Sequence, residues 1–186
     1  MNIKVVLVKK ISKILLATYL LILLWLVLFK FKVNFSVFSD NHTRNLNLIP
    51  FADLSRDNLR DVIYNFVGFI PFGLLLGVTL KRTSFWRRLA YILLFSLALE
   101  VIQFVLALGV MDITDVFTNA LGGLLGLLLY NLSNKNVDTE KLDRSITITG
   151  VVLLIPSVIF LSIVINHGVR YQSAPRGKIR LERQSL

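Results

Sequence analysis

The chain is 186 residues long, 55% hydrophobic, and carries a formal net charge of +10 with no cysteine. This hydrophobic content and a positive mean hydropathy exclude a soluble globular domain and leave a small membrane protein. The missing thiols exclude disulfide and thiolate chemistry. Basic residues scattered over short loops, rather than gathered on one folded face, exclude nucleic acid as a partner, so anionic membrane lipids and topology account for the charge.

The predicted fold is all-α, a polytopic membrane helix bundle of about five transmembrane helices, each close to the ~20 residues that cross a hydrocarbon core. The first span, about Ile11–Phe29, follows a basic flank of Lys4, Lys9, Lys10 and Lys13. It runs into Lys30, Phe31 and Lys32 with no small-residue cleavage site, which predicts an uncleaved signal anchor. Residues 1–46 are thus this anchor and the start of an outer loop, residues 47–132 a core of three spans, and residues 133–186 a fifth span with a basic tail.

The loop Lys30–Asp61 contains Asn47-Leu48-Ile49-Pro50-Phe51, where Pro50 biases Ile49 towards an extended or turn conformation. Two readings fit: a turn whose apolar side chains dip into the membrane interface, or a flap over a site. Arg56 and Arg60 share a helical face, as do Asp57 and Asp61, and form a charged rim before the second span, Val62–Leu80. That span holds Asn65 and then Gly68-Phe69-Ile70-Pro71-Phe72-Gly73. Pro71 predicts a packing kink or, more sharply, a broken helix lining a cavity.

The third span, Leu89–Leu108, contains Glu100 and, one turn later, Gln103. A carboxylate at that depth costs about 2.5–3.5 kcal/mol on insertion scales. The thirteen Leu, Ile, Val and Phe residues of the run each return about 0.3–0.6 kcal/mol near the centre, so insertion still wins. A pure anchor has no need of that carboxylate, and an intramembrane ionisable residue marks a site. A tight turn, Gly109–Asp112, predicts an antiparallel hairpin with the fourth span, Ile113–Leu132. Asp112, Asp115 and Asn119 fall on one helical face, and Gly122 and Gly126 make a small-xxx-small pair for close helix contact. A polar linker, Ser133–Ser145, leads to the fifth span, Ile146–Ile165, which contains Pro156. His42 and His167 are isolated, which gives a histidine metal site no support.

Lys and Arg divide almost evenly between the two sides, and the basic tail (Arg170, Arg176, Lys178, Arg180, Arg183) opposes the rest. The tight loop with Lys81, Arg82, Arg87 and Arg88 decides for a cytoplasmic amino terminus, because short basic loops are retained inside. In any up-down arrangement, the start of the second span, the end of the third and the start of the fourth share one side. Asn65, Glu100, Gln103, Asp112, Asp115 and Asn119 therefore define a polar cleft in one half of the membrane, the outer half in this orientation. Glu100 is its floor, and Arg56 and Arg60 are the nearest candidate counter-charges. A purely structural network between helices is the competing reading.

In their order, the Asn47–Phe51 turn, Asn65 with Gly68–Gly73, Glu100-x-x-Gln103 and Asp112-x-x-Asp115-x-x-x-Asn119-x-x-Gly122 resemble the VanZ-like family. The resemblance covers roughly Asn47–Tyr130 and marks Asn47, Pro50, Asn65, Pro71, Glu100, Gln103, Asp112, Asp115, Asn119 and Gly122 as family-type residues. It implies a bacterial cell-membrane protein of the teicoplanin-resistance group. Many relatives carry an arginine just before the first aspartate, where this chain has Val110 and Met111.

The expectation is a non-enzymatic envelope protein whose outer-facing cleft binds, or alters access of, a lipid-linked envelope precursor or a glycopeptide, with membrane lipids as further partners. No cofactor is expected. The alternatives are an enzyme in which Glu100, Asp112 and Asp115 hold a divalent cation against a lipid-linked phosphate, an ion-coupled transporter, or an accessory subunit.

Overall fold

The structure is a computed structural model that describes residues 3–29, 46–51, 55–107 and 111–173. Lys30, Phe31, Lys32, His42, Gly109, Val110 and the tail cations Arg176, Lys178, Arg180 and Arg183 lie outside them. Of Lys4, Arg56, Asp57, His167 and Arg170 only the backbone is described.

Five helices follow in order: α1 (Ile3–Phe29), α2 (Arg56–Thr79), α3 (Phe85–Val105), α4 (Ile113–Asn136) and α5 (Thr139–Ser173). All five are long and apolar enough to cross a membrane, so the chain is a multi-pass membrane bundle. Two-residue strands, β1 (Leu46–Asn47) and β2 (Met111–Asp112), pair in parallel, with Asn47 opposite Asp112. This small ladder is absent from the all-α expectation, and it staples the long loop to the α3–α4 connection.

The helices extend beyond the predicted spans, because hydropathy reports only the part that needs lipid. The polar linker expected over Ser133–Ser145 is helical except for Val137 and Asp138. Asp138 restarts the chain as α5: its Oδ1 accepts from the Glu140 N–H at 2.8 Å and the Lys141 N–H at 3.2 Å, satisfying first-turn amides that have no intrahelical partner. α2 stays helical through Pro71, and α5 through Pro156. A helix broken at Pro71 is therefore not what the chain forms.

The tightest contact lies between α2 and α4. A Cβ placed on Gly73, Gly122 or Gly126 would lie only 2.0–2.1 Å from a carbonyl oxygen of the facing helix, respectively Gly123, Phe66 and Ile70. Phe66 meets Gly122, Ile70 meets Gly126, and Gly77 meets Tyr130, so the two helices run parallel and in steady register. Without water to drive association inside a bilayer, such small-residue seams let backbones approach and gain dispersion. A core of Leu23 and Val27 from α1, Phe69, Phe72 and Leu76 from α2, Ile92 and Leu99 from α3, and Leu127 from α4 surrounds the seam. Phe69, Phe72 and Phe95 pack edge-on or tilted, with ring centroids 5.3–6.3 Å apart. α1 is tied in by the Tyr19 hydroxyl, which donates to the Gly68 carbonyl.

Replacing Gly126 by Ala should lower stability in detergent by about 1–3 kcal/mol through overpacking, read as a fall in apparent melting temperature. Gly68→Ala should be near neutral, since its Cβ would meet Leu23 at an ordinary 3.5 Å. Equal melting of the two variants would show that the seam is looser than described.

Candidate functional site

Both oxygens of Asp112 are engaged. Its Oδ1 caps α4 by accepting from the Thr114 N–H at 2.7 Å, and its Oδ2 accepts from the Asn47 amide at 3.0 Å. Its backbone N–H donates to Glu100 Oε2 at 3.0 Å. A chain of hydrogen bonds thus runs from the long loop through the start of α4 to the wall of α3. Charge-assisted bonds of this kind are stronger than neutral ones. They explain why an aspartate, an ordinary helix-capping residue, stands at this position in an apolar hairpin.

The Asn47–Phe51 turn is built to dock there. Asn47 Oδ1 accepts from the Ile49 N–H at 3.3 Å, forming a local turn before Pro50. Phe51 adopts a left-handed backbone with φ 56°, which is strained for a bulky residue. Its N–H donates to Thr114 Oγ1 at 3.1 Å. Leu48 and Ile49 remain 65% and 68% exposed. The turn is thus anchored over the start of α4 while presenting apolar side chains outward.

Glu100 is wholly buried, as are Ser96, Leu99 and Asn119, while Gln103, Thr118 and Asp115 are nearly so. Ser96, Glu100 and Gln103 recur at four and three residues and lie on one face of α3. The Asn119 amide donates to Ser96 Oγ at 2.9 Å. Gln103 turns to α1, donating to the Val27 carbonyl at 2.9 Å. The predicted residues accordingly gather in one half of the bundle along two bonded paths, Asn47–Asp112–Glu100 and Asn119–Ser96, with Gln103 facing a third helix. The parallel register of α2 and α4 brings Asn65 within about one helical turn of the level of Asn119. Arg60 is exposed near the start of α2. Pro50 serves the docking turn, Pro71 lies in the part of α2 that faces Gly126, and Gly122 and Gly126 form the seam itself.

Three side-chain atoms around this cluster are buried with no hydrogen-bond partner among the described residues: Asn65 Nδ2, Gln103 Oε1 and Asn119 Oδ1. Each such group costs about 1–3 kcal/mol of unrecovered desolvation, and unpaired buried groups concentrate where a protein does something with them. Together they offer one donor and two acceptors beside buried carboxylates.

Sequence reasoning missed Ser96 and Thr114. Ser96 could have been found four residues before Glu100 on the same face, whereas nothing local marks Thr114 as the acceptor for Phe51. It also missed a second polar cluster at the opposite end of the bundle. There Asp143 at the start of α5 accepts from the Tyr130 hydroxyl at 3.0 Å and pairs with Lys81 of the α2–α3 turn. Arg88 is buried nearby on α3.

Comparison with known proteins agrees with this architecture. The model of the VanZ/LLP1 family matches residues 16–134, from α1 to nearly the end of α4. The chain is 48% identical over 152 residues to Protein VanZ of Enterococcus faecium, covering 82% of this chain and 93% of the relative. No solved structure matches.

In a double-mutant cycle, Asn47→Ala and Asp112→Ala should show a coupling of about 1 kcal/mol or more, read from melting in detergent. Glu100→Gln should keep the fold, because the amide oxygen still accepts from the Asp112 N–H. Glu100→Leu should lose about 1–3 kcal/mol by orphaning that N–H.

Proposed function

The chain belongs to the VanZ/LLP1 family, and from that premise we propose that it lowers susceptibility to teicoplanin-type glycopeptides by binding an envelope ligand at the polar cluster of α2, α3 and α4. The observation that carries this reading is the trio of unpartnered buried atoms, Asn65 Nδ2, Gln103 Oε1 and Asn119 Oδ1. A donor and two acceptors of this kind complement the amides and hydroxyls of a peptidoglycan precursor or of the glycopeptide itself. Glu100 and Asp115 supply negative charge for a cationic or N–H-rich group. Bound ligand atoms would recover the desolvation cost of these groups.

Binding without turnover is favoured over metal-dependent phosphoryl chemistry. Among the described residues no three His, Asp or Glu side chains are grouped so as to hold a metal ion. Asp112, the carboxylate nearest the mouth, already has both oxygens committed to Thr114 and Asn47. The anchored turn over the start of α4 acts as the rim of the site.

We propose that the amino terminus is cytoplasmic. Lys9, Lys81, Lys141 and Arg144 converge at the end of the bundle away from the cluster, and retained cations mark the inner side. In this cysteine-free chain, Leu48→Cys should react with an impermeant thiol reagent in whole cells, and Arg82→Cys only after permeabilisation. The reverse pattern would turn the cluster inward.

A susceptible host expressing the wild type should tolerate more teicoplanin than one with empty vector. A Glu100→Gln, Asp115→Asn double variant, expressed to the same level, should fall back to the vector value. Equal susceptibility in all three strains would remove this function.

A further inference from the structure

At the end of the bundle opposite the carboxylate cluster lies a cavity of about 430 Å³. Three separate parts of the chain build it. α1 contributes Val5, Val8 and Lys9, the turn between α2 and α3 contributes Lys81, and the first two turns of α5 contribute Lys141 and Arg144 together with Glu140 and Asp143. Val5 and Thr139 begin the membrane-spanning parts of their helices, and Thr79 ends that of α2. The cavity therefore sits at one end of the candidate membrane spans of α1, α2 and α5.

Its charges are unequal in commitment. Lys81 is paired with Asp143, which also accepts from the Tyr130 hydroxyl. That pair holds the α2–α3 turn against α5 and shapes the wall. Lys9, Lys141 and Arg144 form no salt bridge among the described residues, and against them the lining offers only Glu140. The first amides of α5 are not the attractor, since Asp138 already caps Glu140 and Lys141. What remains is a cationic pocket with an apolar strip, Val5 and Val8, facing the membrane end of α1.

We propose that this pocket binds the phosphate headgroup of an anionic phospholipid, with Lys9, Lys141 and Arg144 on the phosphate and Val5 and Val8 against the first part of an acyl chain. Basic pockets between transmembrane helices recognise acidic headgroups in this way. Lys and Arg suit the task, because their aliphatic stems lie along apolar surface while the charge reaches the interface. The valines select a lipid over a free oxyanion. Occupied, the site ties α1 to α5 across the α2–α3 turn. The proposal is independent of the glycopeptide reading, which concerns the other half of the bundle.

The test uses the full chain purified in a neutral detergent, with melting temperature followed during titration with short-chain phosphatidylglycerol, phosphatidylcholine or inorganic phosphate. Phosphatidylglycerol should stabilise the wild type saturably, and the other two should not. A Lys9→Gln, Lys141→Gln, Arg144→Gln variant should weaken the apparent affinity about a hundredfold, from about fivefold for each cation near the surface. The single variants Lys141→Gln and Arg144→Gln serve if the triple variant does not fold. A control at the same end but outside the pocket, Arg82→Gln, Arg87→Gln, Lys135→Gln, should titrate like the wild type. Equal stabilisation by phosphatidylcholine, full stabilisation by phosphate alone, an unchanged pocket variant, or an equal loss in the control would each overturn the assignment.

Discussion

The backbone-to-backbone contact of α2 with α4 is the constraint on which the other features depend. Helices in a bilayer gain nothing from hiding apolar surface from lipid, so their association rests on close packing and on hydrogen bonds between them. The carbonyl of Phe66 against Gly122 and that of Ile70 against Gly126 fix both the separation and the register of the pair. Because α2 and α4 run parallel, α3, which joins them in sequence, runs in the opposite sense. Asn65, Glu100 and Asn119 then fall in the same half of the bundle without any direct bond linking all three. The seam also explains how α2 accommodates Pro71: the helix is held on one side by a rigid neighbour, and a proline in a membrane helix is tolerated where neighbours support the freed backbone.

Within that frame the polar residues of one half serve two purposes. Asp112 is largely structural, as a helix cap and as the point where the loop turn, α3 and α4 are bonded together. Gln103 is half structural, its amide spent on the end of α1 and its carbonyl oxygen left over. Asn119 is similar, bonded through its amide to Ser96 and unpaired at its oxygen. A network that existed only to glue helices would be expected to satisfy both ends of each amide, since a half-satisfied buried network is worse than an apolar contact. This pattern of one end spent and one end spare is what the proposed ligand reading rests on.

Much of this was legible in the sequence, for definite reasons. The five spans follow from hydropathy, the Gly122 and Gly126 face from helical spacing, and the shared membrane half of Asn65, Glu100 and Asp112 from counting crossings. Each of these is local or topological. What was not legible depends on which face of one helix meets which face of another. Gly73 reads as a flank of a proline-disturbed helix rather than as a partner of α4, and Gly77 carries no local mark at all. Gln103, one turn from Glu100, reads as its companion, yet it bonds to α1. The Asn47–Phe51 turn shows its own propensity plainly, but its docking on Thr114 is a contact across more than sixty residues that no local pattern records. Asp138 was missed for a simpler reason: hydropathy locates the lipid-soluble part of a helix, whereas a cap locates its chemical end.

The two ends of the bundle solve the same electrostatic problem oppositely. At the loop end carboxylates dominate, and among the described residues they are held by backbone N–H groups, Asn47 and the α4 terminus. At the other end cations dominate, and one aspartate, Asp143, draws Lys81 and Tyr130 together. This separation of the two clusters puts the cationic one on the cytoplasmic side in the proposed orientation. It also means that neither cluster can neutralise the other. A buried carboxylate such as Glu100 must therefore be compensated from its own side, by the fold, by a proton or by a ligand that enters from the direction of the anchored turn.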